Sequence, residues 1–530
     1  MAFPRQQQTD AANLFLSQAY SRLRQTVASR DDSASPHPTA LARAFSALPR
    51  GPQQEAQQSK TPAGDDTDSD TDNALLPTHG LGRDATVTHL LEAIVPGLNG
   101  QALSGRYYGF VTGGVLPVAE AADNIVSALD QNVQVHLPDH SVSTAVEGAA
   151  LAMLVSLLDL GAPADWPGRT VTTGATASNI MGLACGREAI IAARLRDSDC
   201  DVTVAEAGLL AACQAAGIAE FQVLTSMGHS SLAKAASIVG LGHRAVKELP
   251  ASEQEPWRLD LDAVERELAR DGVASIIVVS AGEVNTGRFA LNALDMPKLR
   301  SLADRYKAWI HVDGAFGIFA RALPKTDEFL HLHANVAGLE LADSITADGH
   351  KLLNVPYDAG IFLCRDASIV TQVFQNPNAA YLASSASPGP VILSPLNVGI
   401  QNSRRFRALP IYAVLLSEGR DGVEAMLVRM VKLAREVARF IRDSEQYEWL
   451  PSENASLEST QIVVLFRAKD AGLNDVLVER INKTRKLYVS GTVWRGQKAA
   501  RIAVSSWKVD VEGDLAVVQD VLLSLAAVGP

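Results

Sequence analysis

The sequence predicts an α/β protein: a large domain built on a mostly parallel sheet, then a smaller α+β domain at the C-terminus. Three observations predict it. From about residue 86 to residue 364, helical periodicity alternates with short β-branched runs. The runs at 170–173, 221–225, 275–280, 309–312, 344–346 and Gly360–Cys364 read as strands. Several of these are apolar throughout, as strands covered by helices on both faces are. The chain of 530 residues, 47% hydrophobic and 20% charged, is long enough for two or three domains around a large core.

The elements follow in order. Residues 10–30 read as one amphipathic helix. From 33 to 73 the composition turns to Gln, Ser, Pro, Asp and Thr, which predicts a disordered linker with little to bury. Helical period resumes at His89-Leu90-Leu91-Glu92-Ala93-Ile94-Val95. The segment 384–395, rich in Ser and Pro, reads as a loop. Residues 411–443 read as a helix, and 461–466 and 501–505 as strands of the smaller domain. The expected organisation is a variable, largely disordered extension (1–80), a helical segment (81–115), a large domain (116–400) with a functional loop near 380–398, and a small domain (401–530).

Composition excludes several function classes. A formal net charge of −12 disfavours nucleic acid or an anionic membrane as partner, since both reward a basic face. The four cysteines form no CxxC pair, so neither a disulfide scaffold nor a zinc cluster is expected. The longest apolar stretch, 149–158, is shorter than the ~20 residues a membrane helix needs. The first residues lack an apolar signal region, and Asp10, Asp31 and Asp32 argue against a transit peptide despite Arg22, Arg24 and Arg30. A cytoplasmic protein is the expectation. His331-Leu332-His333, placed in a loop by its sequence, has only i, i+2 spacing, and no metal site is expected from it.

The chemistry concentrates in four places. His311-Val312-Asp313-Gly314-Ala315-Phe316 delivers Asp313 at the end of an apolar strand, where open α/β sheets build their ligand crevice. An Asp there also serves as a helix cap. Asp348-Gly349-His350-Lys351 follows the next strand and places Lys351 38 residues after Asp313. By itself it would pass for a surface Lys in a turn. Thr172-Thr173-Gly174-Ala175-Thr176 opens a helix after a strand, either a plain N-terminus or an anion site made of free N–H groups. Gly228-His229-Ser230-Ser231 sits at an equivalent level, and a lone His is more often structural. A buried Asp and a Lys brought to one cleft are the pair that pyridoxal phosphate requires. The Lys is its Schiff-base partner, and the Asp keeps the ring nitrogen protonated.

Taken together, the chain resembles the group II pyridoxal-phosphate-dependent amino-acid decarboxylases, which include the aromatic amino-acid decarboxylases. The resemblance runs from about residue 86 to about residue 525. Its parts come in order: Tyr107-Tyr108-Gly109-Phe110, the turn with Ala175 and Thr176, His229, Gly282-Glu283-Val284-Asn285-Thr286-Gly287, Asp313, His350-Lys351, Arg404-Arg405-Phe406-Arg407, and Arg501-Ile502-Ala503-Val504-Ser505-Ser506-Trp507. It implies the aspartate aminotransferase-like fold type I, with the large domain binding pyridoxal 5'-phosphate, and a homodimer. It further implies a cofactor site of Ala175, Thr176, His229, Asp313, Ala315, Asp348, His350 and Lys351. Lys351, Asp313 and His229 are implied to be catalytic, as is Tyr381, which falls 30 residues after Lys351 and matches the family's loop tyrosine that reprotonates Cα. Phe110 and His229 are implied to meet the substrate. Three departures mark a divergent branch: Asp348-Gly349 replaces Asn-Pro, Thr176-Ala177-Ser178-Asn179 replaces Ser-Glu-Ala-Asn, and Gly105-Arg106 replaces His-Pro.

The function expected is decarboxylation of an L-amino acid to its amine, with aromatic amino acids the first class to consider. An aminotransferase or an aldehyde-forming oxidative deaminase on the same scaffold is the alternative, and a non-catalytic subunit of the same fold the third. Arg404, Arg405 and Arg407 are read as interface and surface residues, although an aminotransferase would need such an Arg for the α-carboxylate.

Overall fold

The computed structural model describes residues 5–31, 33–48, 76–196, 200–377, 392–451 and 455–528. They divide into two compact units, residues 1–107 with 479–488, and residues 108–478 with 489–530.

In the first unit, helix Arg5–Ser29 covers the expected amphipathic segment. The linker reading of 33–73 is corrected at Pro38–Ser46, which forms a helix. Pro38 suits a first helical turn, and the His37 ring nitrogen accepts the Thr39 N–H at 3.2 Å, so a local cap offsets the polar composition. Residues 49–75 lie outside the described residues. Helix Arg83–His89 continues into a π-turn over Leu90–Ile94. Arg22 donates to Thr88 Oγ1 at 2.8 Å, and Arg30 donates to the carbonyls of Val95 and Leu98.

The second unit is organised by a seven-stranded sheet. Its strands are β1 (Gly168–Thr172), β2 (Glu220–Thr225), β3 (Val246–Glu248), β4 (Val273–Ser280), β5 (Trp309–Asp313), β6 (Ser344–Asp348) and β7 (Gly360–Cys364). Their order is β1-β7-β6-β5-β4-β2-β3. All neighbouring pairs are parallel except those of β7, which runs antiparallel to β1 and β6. All six predicted runs are strands of this sheet. The short edge strand β3 is additional, its three residues being too few to show a period. β4, β6 and β7 are buried at every position, because helices cover both faces.

Helix α1 (Ser143–Leu157) precedes β1, α2 (Ala175–Leu195) follows it, and α3 (Ser230–Ile238) follows β2. Met181, Leu183, Cys185 and Ile190 of α2 pack with Ile276, Val278, Trp309 and Phe362 of the sheet. Each such side chain contributes roughly 1.5–3 kcal/mol when fully buried. His331-Leu332-His333 lies on helix Leu330–Val336, which corrects the loop reading. Among the described residues, no three His, Cys, Asp or Glu side chains group as a metal site would. Nor is any described helix long and apolar enough to cross a membrane.

Helix α4 (Ala408–Arg442) bends at Gly419, whose φ of 59° leaves the helical region. Beyond it lie β8 (Tyr447–Leu450), β9 (Val463–Ala468), β10 (Tyr488–Trp494) and β11 (Gln497–Ala503), antiparallel in the order β8-β9-β11-β10. The sequence shows β9 and β11 but not β8 and β10.

Arg404 joins segments 257 residues apart. Its guanidinium grips both carboxylate oxygens of Glu147 on α1, and both side chains are buried. Arg405 pairs with Asp123 and Arg407 with Asp358. Arg404→Met is expected to cost about 3–5 kcal/mol, because it strands a buried carboxylate, whereas Arg404→Met with Glu147→Leu recovers most of that loss. Urea unfolding of the two variants checks this.

Candidate active site

The C-terminal ends of the parallel strands and the start of β7 share one edge of the sheet. Ser280 pairs with Asp313, Asp313 with Thr346, and Asp348 and Thr172 each with Gly360. Outside this edge opens a cavity of about 520 Å³. Phe110, Ala175, Thr176, His229, Asp313, Ala315, Asp348, His350 and Lys351 all line it. These are all the predicted site residues except Tyr381, which lies outside the described residues.

The turn from β1 into α2 forms one wall. Gly174, at φ 146°, is the residue before the helix, a conformation closed to other residues. A Cβ on Gly360 would lie 2.4 Å from the Gly174 Cα, so the turn can close only against a glycine. Thr172 Oγ1 lies 2.7 Å from Ser178 Oγ and pins the first turn. The leading N–H groups of α2 have no helical acceptor, and Ala175 and Thr176 of that first turn line the cavity.

Lys351 rides on a single helical turn, Gly349–Leu352, directly after β6. Its Nζ is 3.0 Å from Asp348 Oδ2 and 5.8 Å from the centre of the Phe316 ring. Asp348 is buried, and its other oxygen, Oδ1, has no hydrogen-bond partner. The His350 ring accepts the Ala359 N–H through Nδ1 at 3.1 Å, so Nε2 carries the proton in the neutral ring. Burial lowers the His350 pKa, opposed by the Asp348 carboxylate.

His229 caps α3. Its Nδ1 accepts the Ser231 N–H at 3.2 Å and lies 2.7 Å from Ser231 Oγ, which leaves Nε2–H as the donor not used by the cap. Partial desolvation lowers its pKa, against the pull of Asp313, which favours the neutral ring.

Asp313 is not a helix cap. Its Oδ2 accepts Asn179 Nδ2 at 2.9 Å, and its Oδ1 accepts the Ala315 N–H at 3.3 Å. Asn179 Oδ1 in turn faces His311 Nε2 at 2.9 Å. Asn179 and His311 escape the sequence reading as site residues. The available signal was the strand period, since His311 and Asp313 are two apart and share a face.

Arg501 is a third site residue not foreseen. Its guanidinium, 4% exposed, donates to the carbonyls of Val284 and Phe110 and lines the cavity. Burial pushes its pKa down to about 10, with Glu283 opposing, so it remains a cation at neutral pH. Glu283 itself is occupied by the N–H and side-chain donors of Asn285 and Thr286. Phe110 holds a φ of 58°, a strained value for a non-glycine residue, and is 60% exposed at the cavity mouth.

The donors match pyridoxal phosphate part by part. There are N–H groups and His350 for a phosphate, a primary amine for an aldehyde, a carboxylate for a ring nitrogen, and a neutral imidazole for a ring face. Residues 118–469 match the sequence profile described as the pyridoxal-dependent decarboxylase conserved domain. The chain belongs to this decarboxylase family. Within the family it is similar to an L-2,4-diaminobutyrate decarboxylase of Acinetobacter baumannii, with 30% identity over 318 residues, 59% of this chain and 58% of that one. It is also similar to tryptophan decarboxylase 1 of Oryza sativa subsp. japonica, with 27% identity over 454 residues, 82% of each chain. The chain thus spans little more than half the length of the first relative. A crystal structure of Oryza sativa TDC with PLP and tryptamine shares the fold at a TM-score of 0.76 and 21% identity, covering 98% of both chains. The family's cofactor is pyridoxal phosphate, and its fold is the type I fold expected from the sequence.

His311, fully buried, has a pKa pushed down to about 4 by burial, against the attraction of Asp313. The unfolded chain protonates this ring near pH 6.5 and the native state does not. The stabilisation is therefore complete above about pH 6.5 and is lost as pH falls towards 4, on the order of 3 kcal/mol in all. Denaturant unfolding between pH 7.5 and 4.5 is expected to show a slope shallower by about one proton in His311→Gln than in the wild type.

Proposed function

We propose that the protein removes the α-carboxyl group of an L-amino acid as CO2 and returns the corresponding amine. The observation that carries this reading is the convergence of the Lys351 amine, the Asp313 carboxylate and the His229 ring on one cavity at the strand ends. Pyridoxal phosphate supplies a ring that accepts the electron pair left at Cα when the carboxylate departs.

The side chains divide the remaining work. Lys351 would hold the cofactor covalently, while Ala175, Thr176 and His350 hold its phosphate and Ala315 lets the flat ring approach the backbone. Asp348 pairs with the Lys351 amine whenever that amine is free. Asp313 would serve the ring nitrogen. His229 would cover a ring face and offer Nε2–H to the substrate. The Arg501 cation provides a contact for an anionic group without itself being neutralised by a carboxylate. Val111, Phe110, Met227 and Phe316 give the wall an apolar share that favours an aromatic side chain. Tyr381 delivers the proton that Cα takes up in place of CO2. Of the three arginines an aminotransferase reading would draw on, Arg404 is committed to Glu147, Arg405 to Asp123 and Arg407 to Asp358. We further propose a homodimer, supported by the exposed Phe110 at the cavity mouth, and a cytoplasmic setting, supported by four free cysteines.

Two experiments test the reading. Borohydride reduction of the holoenzyme and peptide mapping are expected to place the pyridoxyl label on Lys351 and to find none in Lys351→Ala. A label at another residue overturns the site. CO2 release from the twenty amino acids then identifies the substrate, and with it Tyr381→Phe is expected to retain cofactor but lose amine formation by ~10²–10⁴-fold, the range for a positioned proton donor. Unchanged amine formation removes Tyr381 from the mechanism.

A further inference from the structure

Behind Asp313 runs a line of four buried side chains, none of which lines the active-site cavity: Trp309, Ser344, His311 and Asn179. The contacts are Trp309 Nε1 to Ser344 Oγ at 2.9 Å, Ser344 Oγ to His311 Nδ1 at 2.7 Å, His311 Nε2 to Asn179 Oδ1 at 2.9 Å, and Asn179 Nδ2 to Asp313 Oδ2 at 2.9 Å.

The chemistry of the groups gives every link one direction. The indole N–H of Trp309 can only donate, so Ser344 Oγ accepts it. The Asp313 carboxylate accepts at the other end, so the amide nitrogen of Asn179 faces it and the amide oxygen faces away. That oxygen can only accept, so His311 carries its proton on Nε2. His311 Nδ1 is then bare, and the Ser344 hydroxyl donates to it. Thr346 Oγ1, 3.2 Å from His311 Nε2, adds a lateral contact on the same ring nitrogen. Burial keeps the ring neutral well below physiological pH, as this arrangement needs. The fold makes room for the ring: a Cβ on Gly182 of α2 would lie 2.4 Å from His311 Cε1 and Nδ1.

All the donors therefore point towards Asp313. Hydrogen bonds in such a chain polarise one another, and in a water-free interior they hold their members to one geometry. Only one carboxylate oxygen receives the chain. The other has the longer Ala315 N–H contact, at 3.3 Å.

We propose that Asn179 and His311 are positioning residues that hold the Asp313 carboxylate in the orientation serving the ring nitrogen of pyridoxal phosphate, an inference that rests on the proposed function. Neither touches the cofactor. They act through Asp313, and Ser344 and Trp309 fix the tautomer that lets them do so.

The test is a comparison of two affinities in the full-length apoprotein, read by fluorescence titration and independent of turnover. One ligand is pyridoxal phosphate. The other is its analogue in which carbon replaces the ring nitrogen, leaving the aldehyde and phosphate in place. Asn179→Leu, close to isosteric but without donors, is expected to weaken pyridoxal phosphate at least tenfold and the analogue less than threefold. His311→Phe is expected to behave alike, and His311→Gln, which retains a donor for the Asn179 oxygen, to restore pyridoxal phosphate binding to within threefold of wild type. Should Asn179→Leu not fold, Asn179→Ala carries the same comparison without added bulk. If both affinities fall in parallel, or neither falls, the positioning role is overturned while the proposed function stands. If the wild-type apoprotein binds neither compound, the proposed function is overturned and this inference with it.

Discussion

The register of the sheet is the constraint on which the site depends. Side chains on a strand alternate faces, so sliding β5 by one residue against β4 and β6 would turn Asp313 and His311 together onto the opposite face. The pairing of Ser280 with Asp313 and of Asp313 with Thr346 fixes that register from both sides. β7 then does for the turn between β1 and α2 what β4 and β6 do for Asp313. Running antiparallel between β1 and β6, it brings Gly360 opposite both Thr172 and Asp348, and the turn at Gly174 closes over the one residue there without a side chain. The amine, the carboxylate and the turn at Gly174 are thus positioned by backbone pairing around three strands, β4, β6 and β7, that are buried along their whole length. Side-chain contacts refine that placement.

That core also explains why polar residues inside it come as a connected set. An isolated buried donor or acceptor costs ~1–3 kcal/mol. Among the four residues behind Asp313, each hydrogen-bonding atom finds a partner in the next member, ending in a carboxylate at the cavity wall. By contrast, Asp348 Oδ1 has no hydrogen-bond partner. It belongs to a side chain on the cavity wall beside Lys351 and His350, in the corner we assign to the phosphate.

Much of this was legible in the sequence because strand ends and helix starts leave local signatures. Asp313, Lys351, Ala175, Thr176 and His229 each come soon after a strand-like run and lie in or beside a turn containing small residues, and the cavity gathers all of them. Less legible were residues whose role depends on contacts distant in sequence. Asn179 is an ordinary helical residue until β5 is placed beside it, and the distance from Asn179 to Asp313 is 134 residues. The short strand β3 and the helix Pro38–Ser46 were missed for a different reason. Three residues carry no period, and a nine-residue helix with a local cap can form in a segment whose composition is polar overall. His331 and His333 were misplaced because i, i+2 spacing says nothing against a helix when the surrounding apolar residues, Leu332 and Val336, are four apart.

Arg404 and Arg501 show how partners, more than residue type, decide which cation serves the chemistry. Both are buried and both sit in arginine-bearing segments of the C-terminal third. Arg404 meets Glu147 with two nitrogens on two oxygens, so its charge is compensated inside the protein and its donors are spent on linking α1 to the chain before α4. Arg501 is held by two carbonyl groups, which orient a guanidinium without cancelling its charge. Glu283, the nearby carboxylate, directs its oxygens to Asn285 and Thr286 instead. A cation oriented in this way at a cavity wall keeps its attraction for an incoming anion, and the low-dielectric surroundings that depress its pKa also strengthen that attraction. Among the described residues, Arg501 combines burial, orientation by backbone carbonyls and a place on the cavity wall that Lys351 and His229 also line.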